Sequence, residues 1–476
     1  MRAADGLRMI RKMLNPYIEA WELRELVLKK EVRPREVAEF FIERTQKLNP
    51  KLGAFQTITA ERAIQDADRI EKLGDAERRR ALMFGVPYSI KDLNWTRDIV
   101  TTMGSRNYAN NIPPVDEEIV VRMRNAGGIL LGKTTTPEFG ARPTTEGGLC
   151  PPARNPWNLE HTAGGSSGGA GAALAAGLGC LAQGSDGGGS IRIPSACCGV
   201  VGLKPSRGRI TMAPIFGEAW AGFATSGPMA RSVRDVALFL DVLAGHVTGD
   251  PYWAPDPVAS FRAAVDIAPR HLKIAVLPKS AITRGDSESE AALASAAKVF
   301  EELGHTVEPV DVDPGARLKD VVMTLIVAGI ASVPVENPDL MDPVVRFAWE
   351  RGRKLSAHEY ITTVAMMHNT ARDVVQQLDR YDAILSPTLA RPAVKLGTLP
   401  SSPERYLEEL PEWIPYTFPF NATGQPGFSV PNGFNKDGLP IGLQIVGRQG
   451  DEVTIIGLAR QFEEARPWKD KHPPID

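Results

Sequence analysis

Gly164-Gly165-Ser166-Ser167-Gly168-Gly169 and, further on, Gly184-Ser185-Asp186-Gly187-Gly188-Gly189-Ser190-Ile191-Arg192 decide how this chain is read. Two serines, each set in glycine, are joined by the run Gly168 to Gly179, which holds only Gly, Ala and Leu. That composition predicts a helix packed closely on all sides within a core. Glycine also reaches backbone conformations closed to other residues and lets a ligand come near. The N–H groups of Gly187, Gly188, Gly189 and Ser190 are therefore expected to curl into a nest around a developing oxyanion. Ser190, at the end of that nest, is placed to attack the same carbonyl, which is the geometry of acyl transfer. Ser167 is expected to support the site by hydrogen bonding, and Asp186 and Arg192 to form a buried pair bracing the nest.

A serine hydroxyl is a weak nucleophile until a base takes its proton. None of the seven histidines lies in either glycine motif; His161, just ahead of the first, reads as a structural hydrogen-bonder. Lys91 is the other candidate, at the end of the short apolar strand within Gly85-Val86-Pro87-Tyr88-Ser89-Ile90-Lys91-Asp92. A lysine directed into a core loses the hydration of its charged form, so its pKa falls from ~10.4 toward neutrality. As a neutral amine it can act as a general base.

These segments resemble the amidase signature hydrolases. The likeness rests on the Gly-Val-Pro element ending at Lys91-Asp92, the Gly164–Gly169 core and the Gly-Ser-Asp-x-Gly-Gly-Ser-Ile-Arg-Ile-Pro pattern around Ser190. Cys198-Gly199-Val200-Val201-Gly202-Leu203-Lys204-Pro205 and Asn421-Ala422-Thr423-Gly424-Gln425-Pro426 extend it over nearly the whole chain. The resemblance implies a lysine base, a bridging serine after a cis peptide bond, and a second serine as nucleophile: Lys91, Ser166 and Ser190 by motif position. It implies hydrolysis of carboxamides, with carbamates and esters as further candidates, and neither metal nor organic cofactor. The aryl-amide and urethane-cleaving branches look closest. Gly187 departs from the family, which commonly carries Thr or another side chain there, so pocket shape becomes the open variable. Two rivals stand beside this reading: an amidotransferase subunit releasing ammonia from glutamine for a partner, and a non-catalytic binding protein on the same fold.

Two motif matches read as decoys. Gly127-x-x-x-x-Gly132-Lys133-Thr134 fits the phosphate-binding P-loop, but its Ile129-Leu130-Leu131 reads as a buried strand. Gly164-x-Ser166-x-Gly168 fits the nucleophile elbow, which needs a strand just before the serine; Asn155 to Thr162 reads as a turn instead.

Outward from the motifs, short apolar runs alternate with helical patterns from Gly85 on, which argues for α/β architecture. The expected fold is an α/β/α sandwich on a central mixed sheet, one domain over residues 1–476 with a subregion at about 272–402. Helices are expected at Glu19 to Lys30, Pro34 to Leu48 and Thr59 to Leu73. Further on, a strand is expected at Lys273 to Leu277, then a Ser287-x-x-Glu290 capping box ahead of a helix ending near Gly304. The tail should hold strands at Phe428–Val430 and Ile441–Ile445 and a helix at Val453–Ala465. Trp220, Phe223 and Gln425 are candidate substrate contacts, and Tyr416, Phe418 and Phe420 further aromatic candidates.

The chain has 476 residues, 43% hydrophobic and 24% charged, with a net charge of −2. That balance gives no pull toward nucleic acid or an anionic membrane, and no apolar run reaches the ~18 residues of a membrane span. Met1 to Leu14 lacks the apolar core of an export signal. Cys150, Cys180, Cys197 and Cys198 fit neither a disulfide framework nor a zinc site. The expectation is a cytoplasmic protein with reduced thiols, a monomer or homodimer acting on a small-molecule amide or carbamate.

Overall fold

In the computed structural model, which describes residues 14–283 and 285–475, the two glycine-rich segments lie within a fold built on an eleven-stranded mixed sheet. The opening segment, Met1 to Met13, which bears on the export question, lies outside the described residues. The strands are β1 (Phe55–Ile58), β2 (Pro87–Lys91), β3 (Ile129–Thr134), β4 (Arg154–Asn155), β5 (Asn158–Thr162), β6 (Leu181–Asp186) and β7 (Val201–Lys204). They continue with β8 (Thr225–Ala230), β9 (Lys273–Val276), β10 (Thr306–Pro309), β11 (Ala383–Pro387), β12 (Gly427–Phe434) and β13 (Pro440–Gly447). The large sheet runs β1-β3-β2-β6-β8-β7-β12-β13-β11-β9-β10, with β4 and β5 in a separate ribbon. β3, β2 and β6 are parallel, the middle strands antiparallel, and β11, β9 and β10 parallel again. The stretch 272–402 thus adds its strands to the same sheet. This is the α/β architecture with a central mixed sheet that the alternation of elements implies.

β2 and β3 are buried at every position. Parallel strands covered on both faces read as continuous apolar runs, as Ile129-Leu130-Leu131 does. The P-loop match is therefore a sheet strand: Lys133 is buried, and its Nζ donates to the Asn94 carbonyl and to the hydroxyls of Thr96 (3.0 Å) and Thr101 (2.9 Å). The small-residue run forms a helix over Gly168–Ala175 with all its residues buried. It stops short of Gly179 because Gly177 turns left-handed at φ 67°. The need for glycine is direct at Gly169, where a Cβ would lie 2.4 Å from both the Ala54 carbonyl oxygen and the Thr135 nitrogen.

The amino-terminal helices span Ala20–Leu28, Pro34–Leu52 and Ala60–Glu71. The second outruns its expected end, passing through Pro50 to a left-handed cap at Gly53, a common helix stop. The expected capping box is not formed, and the cap lies one residue earlier. Asp286 is the N-cap of the helix Ser287–Glu302, accepting from the Ser289 N–H and hydroxyl, so Ser287 is already helical. Carboxylate and hydroxyl cap equally well, and the aspartate came first. The segment Asn155 to Thr162, expected as a turn, is the β4–β5 ribbon. His161 within it leaves Nδ1 without a hydrogen-bond partner, and burial and nearby Lys395 keep its pKa below the usual value. The tail strands β12 and β13 and a helix over Glu452–Ala465 lie where the pattern places them. All four cysteines are free and buried. Among the described residues no helix is long and apolar enough to cross a membrane.

Candidate active site

Parallel pairing of β2 with β6 sets Ile90 opposite Gln183. Their carboxyl ends therefore bring Lys91 beside Ser185, the kind of place where α/β sheets bind ligands. The Lys91 amine lies 2.7 Å from Ser166 Oγ and 3.0 Å from Ser185 Oγ, and the Lys91 backbone N–H donates to Gln183 Oε1. The side chain is fully buried. Burial lowers its pKa from 10.5 to about 7, against the opposing pull of the Asp186 charge. A cis peptide bond joins Gly165 to Ser166. Ser167 ties the two glycine motifs together: its N–H donates to the Ser190 carbonyl, and its hydroxyl lies 3.3 Å from both the carbonyl oxygen and the nitrogen of Ser185.

Asp186 ends β6 and organises the loop that follows. Its carboxylate accepts from the N–H groups of Gly189 (2.8 Å) and Ile191 (3.2 Å) and from Arg192 Nε and Nη2 (3.0 and 2.8 Å). Both side chains of the pair are fully buried. Burial alone would raise the Asp186 carboxyl; Arg192, with Lys204 and Asn421, reverses this and holds it well below the usual range. Arg192 spends its remaining donors on the Thr417 carbonyl, Gln444 and Asn421. The nest consequently differs from the one expected. Gly189 gives its N–H to Asp186, whereas the N–H groups of Gly187, Gly188 and Ser190 donate to no group of the described chain. Thr417 fixes the loop further through its hydroxyl bond to the Gly188 carbonyl.

Ser166, Ser185, Gly187 and Ser190 open together on a cavity of ≈ 550 Å³. Its wall is largely apolar, with Leu93, Met103, Phe139, Leu325, Val333 and Leu355 among its residues. Trp220 stands in that wall. Phe223 and Gln425 do not: Phe223 is packed in the core, and Gln425 is buried with its amide bonded to the Gly447 carbonyl. Tyr416, Phe418 and Phe420 are likewise buried away from the cavity, because the Thr417–Asn421 segment faces inward to hold Arg192 and the nest. Two residues of the site carried no role in the sequence reading. Ser185 shares the Lys91 amine, and strand alternation from Gln183 was the signal for it. Glu117 lines the cavity and is buried, which raises its carboxyl to about 7; its oxygens accept from Asn94 Nδ2 and the Trp95 N–H. No motif pointed to it.

The sequence model of the Amidase family matches residues 36–456. The acylamidase of Rhodococcus erythropolis is 36% identical over 478 residues, covering 96% of this chain and 97% of that one. A solved structure of 6-aminohexanoate cyclic dimer hydrolase superposes with a TM-score of 0.90 at 32% identity, covering 97% of this chain and 99% of the other. A bacterial aryl acylamidase of the amidase signature family gives 0.85 at 29% identity, covering 95% and 97%.

Proposed function

We propose that this chain, which belongs to the amidase signature family and hydrolyses amides, does so through an acyl-enzyme on Ser190. The observation that carries the reading is the 2.7 Å contact between the Lys91 amine and Ser166 Oγ, with Ser166 and Ser190 on one cavity wall. A lysine whose pKa is about 7 is substantially neutral at neutral pH and has a lone pair to accept a proton. Lys91 takes the proton of Ser166, Ser166 takes that of Ser190, and Ser190 Oγ adds to the carbonyl carbon. The carbonyl π pair moves onto oxygen, which the N–H groups of Gly187, Gly188 and Ser190 stabilise. A single donor of this kind is worth about 3–4 kcal/mol in the transition state. As the oxyanion collapses, the C–N bond breaks, Ser166 gives its proton to the leaving nitrogen and takes one back from Lys91, which is neutral again. Water then enters by the same relay and releases the acid.

The substrate is read as an uncharged carboxamide with apolar flanks, and aryl carbamates and esters fall within the same chemistry. Among the described residues the cavity wall carries the acids Glu117 and Glu218 and no lysine, arginine or histidine, which disfavours an anionic substrate. Amine release from a matched aryl amide and aryl carbamate, by wild type and Ser190→Ala, tests the proposal. Cleavage by wild type that disappears in the variant is the expected result. Persistent cleavage by Ser190→Ala would remove Ser190 as nucleophile, and inert anilides with ammonia released from glutamine would favour an amidotransferase subunit.

A further inference from the structure

The glycine at position 187, within the nest, faces an indole. A Cβ on Gly187 would lie 2.9 Å from Trp220 Cε3, and one on Gly329 would lie 2.4 Å from Trp220 Cδ1. Gly329 belongs to the helix Pro314–Ala331. The ring therefore spans from the nest to that helix, its benzo edge on one glycine and its pyrrole edge on the other. Either glycine bearing a side chain would expel it.

The backbone that presents this ring is costly and well fastened. Trp220, Ala221 and Gly222 run left-handed in succession, at φ 57°, 54° and 77°, a region that side-chain-bearing residues visit sparingly. Glu218 accepts the Gly222 N–H at 2.6 Å, and Arg207 Nε donates to the Gly222 carbonyl at 2.7 Å. Asn421 Nδ2 reaches both the Phe223 carbonyl and the Asp186 carbonyl, so one side chain fixes the turn and the nest together. Strained conformations persist where the surroundings over-determine them, and they cluster at ligand clamps.

Resting on the acyl-enzyme reading above, we infer that Trp220 is the specificity-determining residue of the acyl side, limiting the bulk of the group bound to the scissile carbonyl. The side follows from proton transfer. Ser166 must reach the leaving nitrogen, and Ser166 borders Gly140 and Leu93: a Cβ on Gly140 would lie 3.2 Å from Ser166 Oγ and 2.9 Å from Leu93 Cδ1. The amine accordingly occupies the Leu93–Gly140 end. The acyl group extends past Gly187, where Trp220 meets it. Its preferred chemistry is a slender apolar or flat aromatic acyl group.

The test is kcat/KM for p-nitroanilides of acetic, hexanoic and diphenylacetic acids, beside acetamides of aniline and 1-naphthylamine. Trp220→Ala should raise the diphenylacetyl-to-acetyl ratio by about tenfold or more, as expected when a hydrophobic pocket gains room, and leave the two amines in their wild-type ratio. Gly187→Thr should lose activity on every acyl group, and Trp220→Ala placed on top of it should restore a measurable part. Should Trp220→Ala fail to fold, Trp220→Phe should shift the acyl ratio in the same direction by less. A flat acyl ratio with turnover intact overturns the role of Trp220 alone, as does a shift in the amine series instead. Absence of cleavage by wild type would fall on the Ser190 reading and take this one with it.

Discussion

Replacing Lys91 by methionine should abolish turnover and make the protein more stable. Lys91 is fully buried, and burial brings its pKa from 10.5 to about 7. At about 1.4 kcal/mol per pH unit, that drop corresponds to about 5 kcal/mol of destabilisation whenever the unfolded chain would hold a proton that the folded site resists. Methionine fills similar volume without a charge to desolvate. It gives up the hydrogen bonds to Ser166 and Ser185, at about 1 kcal/mol each, so a net gain of about 2–3 kcal/mol is expected at pH 7. The sign with pH is specific. Between about pH 7 and 10.5 the unfolded lysine is protonated and the folded one is not, so wild-type stability rises with pH across that window, and by its upper end the variant's advantage should reverse into a deficit of about 1–2 kcal/mol from the two lost hydrogen bonds. Urea unfolding midpoints at pH 7 and pH 10, with kcat/KM alongside, measure both halves. A variant less stable than wild type at pH 7, or an advantage unchanged at pH 10, would show that Lys91 is a charged, paired residue and would refute it as the base.

Activity of the wild type should fall about tenfold per unit below pH 7 as Lys91 takes up its proton; a profile flat to pH 5 would count against it. Because Glu117 titrates in the same range, the limb should survive in Glu117→Gln, and its loss there would reassign the pKa. Asp186→Asn leaves the fully buried Arg192 without its counter-charge, a change that costs about 3–5 kcal/mol in comparable buried pairs; an unaltered thermal midpoint would contradict the bracing role. Gly169→Leu should yield no soluble folded protein, since its first side-chain atom collides with the backbone of Ala54 and Thr135; a normally folded variant would show that the small-residue helix has room.

The elements that sequence made legible are those with one dominant physical cause. Strands buried on both faces carry apolar runs, so Ile129-Leu130-Leu131 of β3 could be read directly and the P-loop match set aside. The Gly168–Ala175 helix showed itself because nothing larger fits against Ala54 and Thr135. Contact between the two glycine motifs and Lys91 was foreseeable only through family likeness, since β2 and β6 lie far apart in the chain and nothing local reports their pairing. What could not be read depended on long-range choices among equivalent donors. Nothing in Gly187–Ser190 says that Asp186 will claim the Gly189 N–H. Phe223, Tyr416, Phe418 and Phe420 have the same composition cue as Trp220, yet of these five only Trp220, set on a left-handed turn, has its ring in the cavity wall. Glu117 reaches the site from a loop beyond any motif.

The arrangement of charge around the site has a single logic. In the proposed mechanism Lys91 serves as base only if it stays neutral, and the Asp186 carboxylate works against that by favouring the ammonium form. Asp186 cannot simply be absent, because it holds the Gly189 and Ile191 N–H groups and so sets which donors of the loop stay free for the oxyanion proposed above. Arg192 reconciles the two demands. Its guanidinium binds both oxygens of the carboxylate and offsets the charge that Lys91 would otherwise feel, while its remaining donors anchor Thr417, Asn421 and Gln444. Thr417 in turn holds Gly188, and Asn421 holds the turn that carries Trp220. One arginine thus links the protonation state of the base, the shape of the nest and the wall of the cavity, which is why a conservative change at Arg192 should disturb all three at once.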